Sequence, residues 1–290
     1  MEELTVNRLQ SSGDYDDRTT AAVKSVLIEV GQILGDFKGK FAVVGGSVPW
    51  LLLAQDGDMR HVGTLDVDLG LDSEALGDGE YAHLVESLLC HGYRQRKNLK
   101  RFQLVRQILP VDGGPSIDVI VDFLMPRDAV IARNRPPLVE DFAVQRASGA
   151  ELALRFKEFV AISGTMPNGG SNKVEVAVCS IPALLAMKGY AIENRYKQKD
   201  AYDIYYCVRN YPGGIAALSA ACRPLLDHGD GRKGYDFIAG KFDSPDGFGP
   251  TCVREFVERH RVLEDRTPDQ WQLDAFGQVD AWLRALGLRL

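Results

Sequence analysis

Nowhere in this sequence do apolar residues run for the roughly 18 to 20 positions that a membrane-spanning helix needs. The longer runs, such as Trp50 to Ala54, stop far short of it. The opening Met1-Glu2-Glu3 has neither the basic region nor the apolar segment of a secretory signal, so a cytoplasmic protein with no membrane partner is expected. Cysteine is scarce: Cys90, Cys179, Cys207, Cys222 and Cys252 are far apart, form no C-x-x-C, and sit mostly among apolar neighbours. That spacing argues against structural zinc and suits reduced core thiols. An excess of basic charge is also missing. The net charge of -6 excludes a surface coated in Lys and Arg for non-specific nucleic-acid binding, while leaving room for a local basic groove. No internal repeat or low-complexity tract is present.

What remains is the composition of an ordinary globular chain, 45% hydrophobic and 26% charged. At 290 residues it is long enough for one large α+β unit or two closely packed domains. Val23, Val26, Leu27, Val30, Ile33 and Leu34 recur at helical spacing and predict an amphipathic helix from about Asp16 to Phe37. Phe41 to Val44 reads as a short strand stopped by Gly45-Gly46, with a helix following at once, capped by Ser47 and tolerating Pro49 in its first turn. Leu65 to Leu69 alternates strictly, so Asp66 and Asp68 share one face of a strand and the apolar residues share the other. Further strands are expected at Phe102 to Leu109, Ile117 to Leu124, Leu154 to Ile162 and Val174 to Val178, with a helix over Tyr81 to Cys90. After Ser180, a good N-cap, the pattern turns helical: to about Asn194, Lys199 to Arg209, Ile215 to Leu226, Cys252 to Leu263 and Trp271 to Leu286. The resulting expectation is an α+β fold, a mixed-sheet core over residues 1–180 followed by a C-terminal helical region, 181–290.

Two carboxylates two residues apart on one strand lie roughly 6.5 Å apart at Cα and can reach one cation or a close pair of cations. Like charges so placed repel each other, and a hard cation such as Mg²⁺, with Mn²⁺ as a substitute, would offset that repulsion. Upstream, Gly45 and Gly46 let backbone approach a phosphate, and Ser47 adds a hydroxyl at a helix N-terminus. A third carboxylate is expected on a neighbouring strand. Asp118 and Asp122 lie on one face of Ile117 to Phe123 by period two; Asp118 is preferred and Asp122 is the fallback, as general base or as ligand of a second metal ion. Between Arg94 and Arg106, six basic residues (Arg94, Arg96, Lys97, Lys100, Arg101 and Arg106) occur with no acidic one. They read equally as a hairpin edge protected by charge or as a phosphate-contacting surface. His61 lies just ahead of the Asp66 strand, as a loop residue or an acid–base group. Trp271 and Trp282 read as core.

An apolar strand, G-S, a helix, D-x-D and a later carboxylate strand together resemble the nucleotidyltransferase superfamily that includes DNA polymerase beta. Within it, the run from Arg60 through Thr64 and Asp66-Val67-Asp68-Leu69 is similar to the R-x-x-x-T-x-D-h-D-h stretch of AbiEii-type toxins. So is Leu184-Leu185-Ala186-Met187-Lys188 followed by Arg195 and by Lys199-Asp200-Ala201-Tyr202-Asp203-Ile204. The likeness covers about residues 40 to 210. One departure is the eighteen residues between Ser47 and Asp66, longer than in many members and accommodating a longer helix and loop through Gln55-Asp56-Gly57-Asp58. The resemblance implies that Lys188 contacts the phosphates of an NTP and that Asp200 supports the site from the next helix. The alternative for this helix start is that Asp203 orients Lys188 or Arg195 instead. It also implies an acceptor such as an RNA or tRNA 3′ end, with a cognate antitoxin as partner in a toxin–antitoxin system. Two other readings stay open: transfer to a small molecule such as an aminoglycoside-type antibiotic, or a non-catalytic nucleotide-binding module.

Overall fold

The computed structural model describes residues 17–53, 59, 61–77, 79–110, 113–127, 129, 144–260, 262 and 265–290. Arg60, the loop at 55–58 and Leu263 lie outside them. The chain is α+β: the described residues form seven strands in one mixed sheet and a helical C-terminal region.

Helix α1 (Asp17–Ile33) ends in a 3₁₀ turn (Gly35–Phe37) that feeds β1 (Phe41–Val44). Next come α2 (Ser47–Leu52), β2 (Asp66–Leu71), α3 (Glu80–Cys90), β3 (Gln103–Ile108) and β4 (Ile117–Pro126). A short β5 (Gln145–Ala147) and α4 (Ala150–Arg155) lead to the hairpin of β6 (Lys157–Thr165) and β7 (Ser171–Cys179). The sheet order is β3-β4-β2-β1-β7-β6. β5 pairs with β4 at Leu124, whose other edge is taken by Gly70 of β2, so β5 continues the β3 edge. Leu154 and Arg155, read as strand from sequence, close α4 instead; Ala150, Leu152 and Ala153 give that turn a buried face.

The register fixes which side chains share a face. Val43 pairs with Leu69 and with Val178, so Val67, Leu69, Val176 and Val178 point to one side. Helix α1 lies on that side, close enough that a Cβ on Gly31 would meet Val174 and Val176. Val44 pairs with Asp68, and Asp68 with Asp122, so the carboxylates occupy the opposite face. Alternation along each strand thus buries one side in a core while leaving the other for chemistry.

Helices α5 (Ile181–Asn194), α6 (Gln198–Asn210), α7 (Gly214–Leu226), α8 (Gly229–Lys241), α9 (Phe248–His260) and α10 (Pro268–Leu286) follow. Ser180 caps α5 as expected, accepting a hydrogen bond from the Ala183 N–H at 3.4 Å. The Tyr235 hydroxyl of α8 donates to the Pro182 carbonyl at 3.0 Å and ties α8 to the start of α5. Trp271 and Trp282 are fully buried, their rings edge-on to Tyr205 and Tyr235.

Candidate metal and nucleotide site

The parallel pairing of β2 with β4 places Asp122 directly beside Asp68. One carboxylate oxygen from each of Asp66, Asp68 and Asp122 can be chosen so that all three lie within 4.8 Å of one another. Asp118, the sequence preference, is displaced by four residues along β4, roughly 13 Å at the strand rise. Its exposed carboxylate is held instead by Arg96 and by Gln107, its β3 neighbour. Asp118 and Asp122 share a face of β4, and only the register with β2 decides which of them meets Asp68.

Two of the three carboxylates are held by hydrogen bonds. The Thr64 hydroxyl donates to Oδ1 of Asp66 at 2.8 Å, and the Gln103 amide donates to Oδ1 of Asp122 at 2.8 Å. Gly45, at φ +74, lies over Asp68, where a side chain would collide with the carboxylate. Burial, then the charge of Asp66, then that of Asp122 push the Asp68 carboxyl well above the usual range. Burial and the Asp66 charge push Asp122 up to about 6. This cluster of oxygens carries a repulsion that a hard cation would relieve, so the donor set fits Mg²⁺ or Mn²⁺.

The aspartates open into a cavity of roughly 610 Å³ between the sheet and α5–α6. Helix α5 lines it with Leu184, Met187, Lys188, Ala191 and Asn194, a stripe at i, i+3, i+4, i+7 and i+10. Arg195 and Lys197 both have extended backbone, so alternation sends both side chains to the cavity. Lys100, Arg127 and Arg146 line the opposite wall, near β3, β4 and β5. Lys197 acts through its field, lowering Asp68 and Asp122 against their burial. The site is therefore an acidic floor between two basic walls.

A buried ionic cluster forms the back of the cavity, where Lys188, Arg195, Lys199 and Asp203 are among the lining residues and Asp200 lies behind them. The Lys188 ammonium donates to Asp200 at 2.6 Å and to Asp203 at 2.7 Å, and Lys199 donates to Asp203 at 2.8 Å. Arg195 reaches Asp200 with two nitrogens, at 2.8 and 3.0 Å. Burial alone would pull the Lys188 ammonium down and the Asp200 carboxyl up. The pairing reverses both: Lys188 is raised, and Asp200 is held at about 2 by Lys188 and Arg195. Lys199 stays net lowered, because its burial outweighs Asp203. His61 packs edge-on to Tyr206 and its Nε2 contacts Asp203 at 3.0 Å. Burial, then Lys199, hold its imidazole at a pKa of about 4, neutral in the fold.

Of the residues expected from sequence, Gly45, Gly46, Asp66, Asp68 and Lys188 line the cavity and Asp200 braces it from behind. Ser47 does not line it: Gly46 takes the N-cap position of α2, and the buried Ser47 hydroxyl donates to the Val44 carbonyl at 3.3 Å. Of the basic segment, Lys100 lines the cavity, while Arg96 pairs with Asp118 and Arg106 with Glu29 at 2.8 Å. Lys197, Arg127 and Arg146 carried no signal of their own in the sequence beyond charge. The Arg195-x-Lys197 alternation was the one local hint.

No protein-family model matches the sequence, and no curated protein does. Among solved structures, the crystal structure of JHP933 from Helicobacter pylori is similar over 94% of this chain and 95% of that one, with a TM-score of 0.48 and 10% identity. An antigenic nucleotidyltransferase-like protein from Paracoccidioides brasiliensis is similar over 73% of this chain and 93% of that one, with a TM-score of 0.39 and 14% identity.

Proposed function

We propose that this chain is a divalent-metal-dependent nucleotidyltransferase that moves a nucleotide from an NTP to an acceptor hydroxyl. The observation carrying the proposal is the Asp66, Asp68 and Asp122 oxygen cluster at the floor of a cavity with basic walls. Asp66 and Asp68, with Asp122 beside them, would hold Mg²⁺ or Mn²⁺. A bound cation of this kind supplies charge stabilisation to the attacking and leaving oxygens.

The chain's own groups account for the rest. The acceptor oxygen forms a bond to the α-phosphorus, the bond from that phosphorus to the bridging oxygen breaks, and pyrophosphate leaves with the electron pair. The acceptor proton passes to Asp122, oriented by Gln103. Lys197 and Arg195 face the triphosphate, and the Gly45-Gly46 turn offers backbone room for it. Lys188 and Asp200 serve by fixing α5 against α6, with Lys188 adding positive charge behind the phosphates.

The finer reading, an RNA or tRNA 3′ end as acceptor and a cognate antitoxin as partner, comes from the AbiEii-like sequence stretches. Lys100, Arg127 and Arg146 support a polyanionic acceptor, since a cationic antibiotic would meet them on its way in. No helix among the described residues is long and apolar enough to cross a membrane.

Incubation with labelled NTPs, Mg²⁺ and either total RNA or an aminoglycoside panel tests the reading. Mg²⁺-dependent label on RNA is expected. Asp66→Ala, Asp68→Ala and Asp122→Asn should each lower transfer by about 100-fold or more, whereas Asp118→Asn should leave it near wild type. Transfer surviving in Asp122→Asn and abolished in Asp118→Asn would overturn the assignment of the third carboxylate.

A further inference from the structure

His61 is placed to do more than fill space. Its side chain is wholly buried, and both ring nitrogens contact groups that belong to different parts of the site. The Gly63 N–H donates to Nδ1 at 3.2 Å, which leaves the ring proton on Nε2, where it is donated to Oδ1 of Asp203 at 3.0 Å. A neutral imidazole with one acceptor and one donor is what these two partners require.

The chain turns immediately after this contact. Gly63 adopts φ +86, and Thr64 follows it, buried, with its hydroxyl donating to Oδ1 of Asp66 at 2.8 Å. Thr64 also packs against the phosphate-side turn, since a Cβ on Gly46 would fall 2.8 Å from the Thr64 hydroxyl and 3.1 Å from Nζ of Lys199. At the other end of the imidazole, Asp203 is fixed by Lys188 and Lys199. An unbroken set of hydrogen bonds therefore runs from the charged cluster on α5 and α6, through one ring, to the backbone that presents Asp66. Occupying Oδ1 of Asp66 leaves its second oxygen for a cation.

We propose that His61 is a positioning residue for the metal site: it ties Asp203 of α6 to the Gly63 backbone and thereby holds the Thr64 hydroxyl against Asp66. This rests on the metal-site reading above. Groups that orient a ligand from behind commonly change metal affinity by about 10- to 100-fold when removed. The two bonds of the ring can be separated by substitution. His61→Asn offers a side-chain oxygen to the N–H two residues on, as in an Asx turn, but is too short to reach Asp203. His61→Gln reaches toward Asp203 without serving Gly63.

The test is Mn²⁺ binding, followed by the electron paramagnetic resonance of the free ion, on the full chain and with no substrate present. Thermal unfolding of each variant is measured alongside. His61→Ala is expected to weaken Mn²⁺ binding by about tenfold, His61→Asn to recover most of the loss, and His61→Gln to remain weak. Thr64→Val, which puts a methyl group in place of the hydroxyl, should weaken it similarly. Unchanged Mn²⁺ affinity in Thr64→Val or in folded His61→Ala overturns the proposal, as does His61→Gln binding more tightly than His61→Asn. Asp66→Asn separates the two levels of inference. If wild type binds no Mn²⁺ that Asp66→Asn abolishes, the metal site itself falls and the proposal with it. If Asp66→Asn loses binding and the His61 variants do not, only the positioning role falls.

Discussion

A Cβ on Gly45 would lie 1.8 Å from Oδ2 of Asp68, so this glycine and this aspartate occupy space that no other residue at position 45 can share. Gly45→Ala is therefore expected to displace the Asp68 carboxylate and to lose Mn²⁺ binding. The positive φ adds a stability cost of about 1–2 kcal/mol. Chemical denaturation and an Mn²⁺ titration of the same sample check both effects. A folded Gly45→Ala with wild-type Mn²⁺ affinity would show that the aspartate is not a ligand.

The Asp122 carboxyl has a folded pKa of about 6, above its ordinary 3.8, because of burial first and the Asp66 charge second. A group raised in this way favours the fold while protonated. Its contribution is full below about pH 4 and is lost as pH rises through about 6. In EDTA, the Tm of Asp122→Asn should thus gain on wild type between about pH 4 and pH 7, and Mg²⁺ at pH 7 should narrow the gap by stabilising wild type alone. A gap that stays constant with pH contradicts the assignment of Asp122 to a crowded acidic site.

Lys188 neutralises two buried aspartates, and its side chain is only 9% exposed. Lys188→Met leaves those charges undercompensated and is expected to cost about 3–5 kcal/mol. Arg195→Ala removes a side chain that is half exposed and should cost no more than about 1 kcal/mol. Urea titrations of the two variants give the comparison. Equal stabilities would mean that Lys188 is not the anchor of the α5–α6 cluster.

Within the basic segment, Arg96 and Arg106 are already paired with Asp118 and Glu29. Replacing Lys97, Lys100 and Arg101 by alanine is expected to weaken RNA binding and to flatten its salt dependence, by about 0.7 in slope for each single-strand phosphate that the variant no longer neutralises. Filter binding at several salt concentrations measures this. Identical slopes for wild type and the triple variant would remove these residues from the acceptor path and favour a small-molecule acceptor.

Read by itself, the sequence determined what depends on neighbours within a few residues. The alternation of Leu65 to Leu69 put Asp66 and Asp68 on one face, Gly45-Gly46 marked the turn after β1, Ser180 marked the start of α5, and the apolar spacing marked most helices. These are local because a strand's period and a helix cap are set by adjacent backbone. The short β5 and α4, with little periodicity to read, and α8, with its scattered apolar residues, were not legible in the same way. The tertiary structure alone decided which aspartate of β4 lies beside Asp68. Asp118 and Asp122 are equivalent in period, and the choice between them lies in hydrogen bonds between β2 and β4, strands separated by some fifty residues of chain. It also decided the fate of Ser47, whose hydroxyl turned to the Val44 carbonyl once Gly46 became the cap. His61 and Asp203 are 142 residues apart in sequence and in hydrogen-bond contact in the fold. No local pattern encodes such a pairing, because it exists only after α6 has packed against the loop that carries the acidic strand.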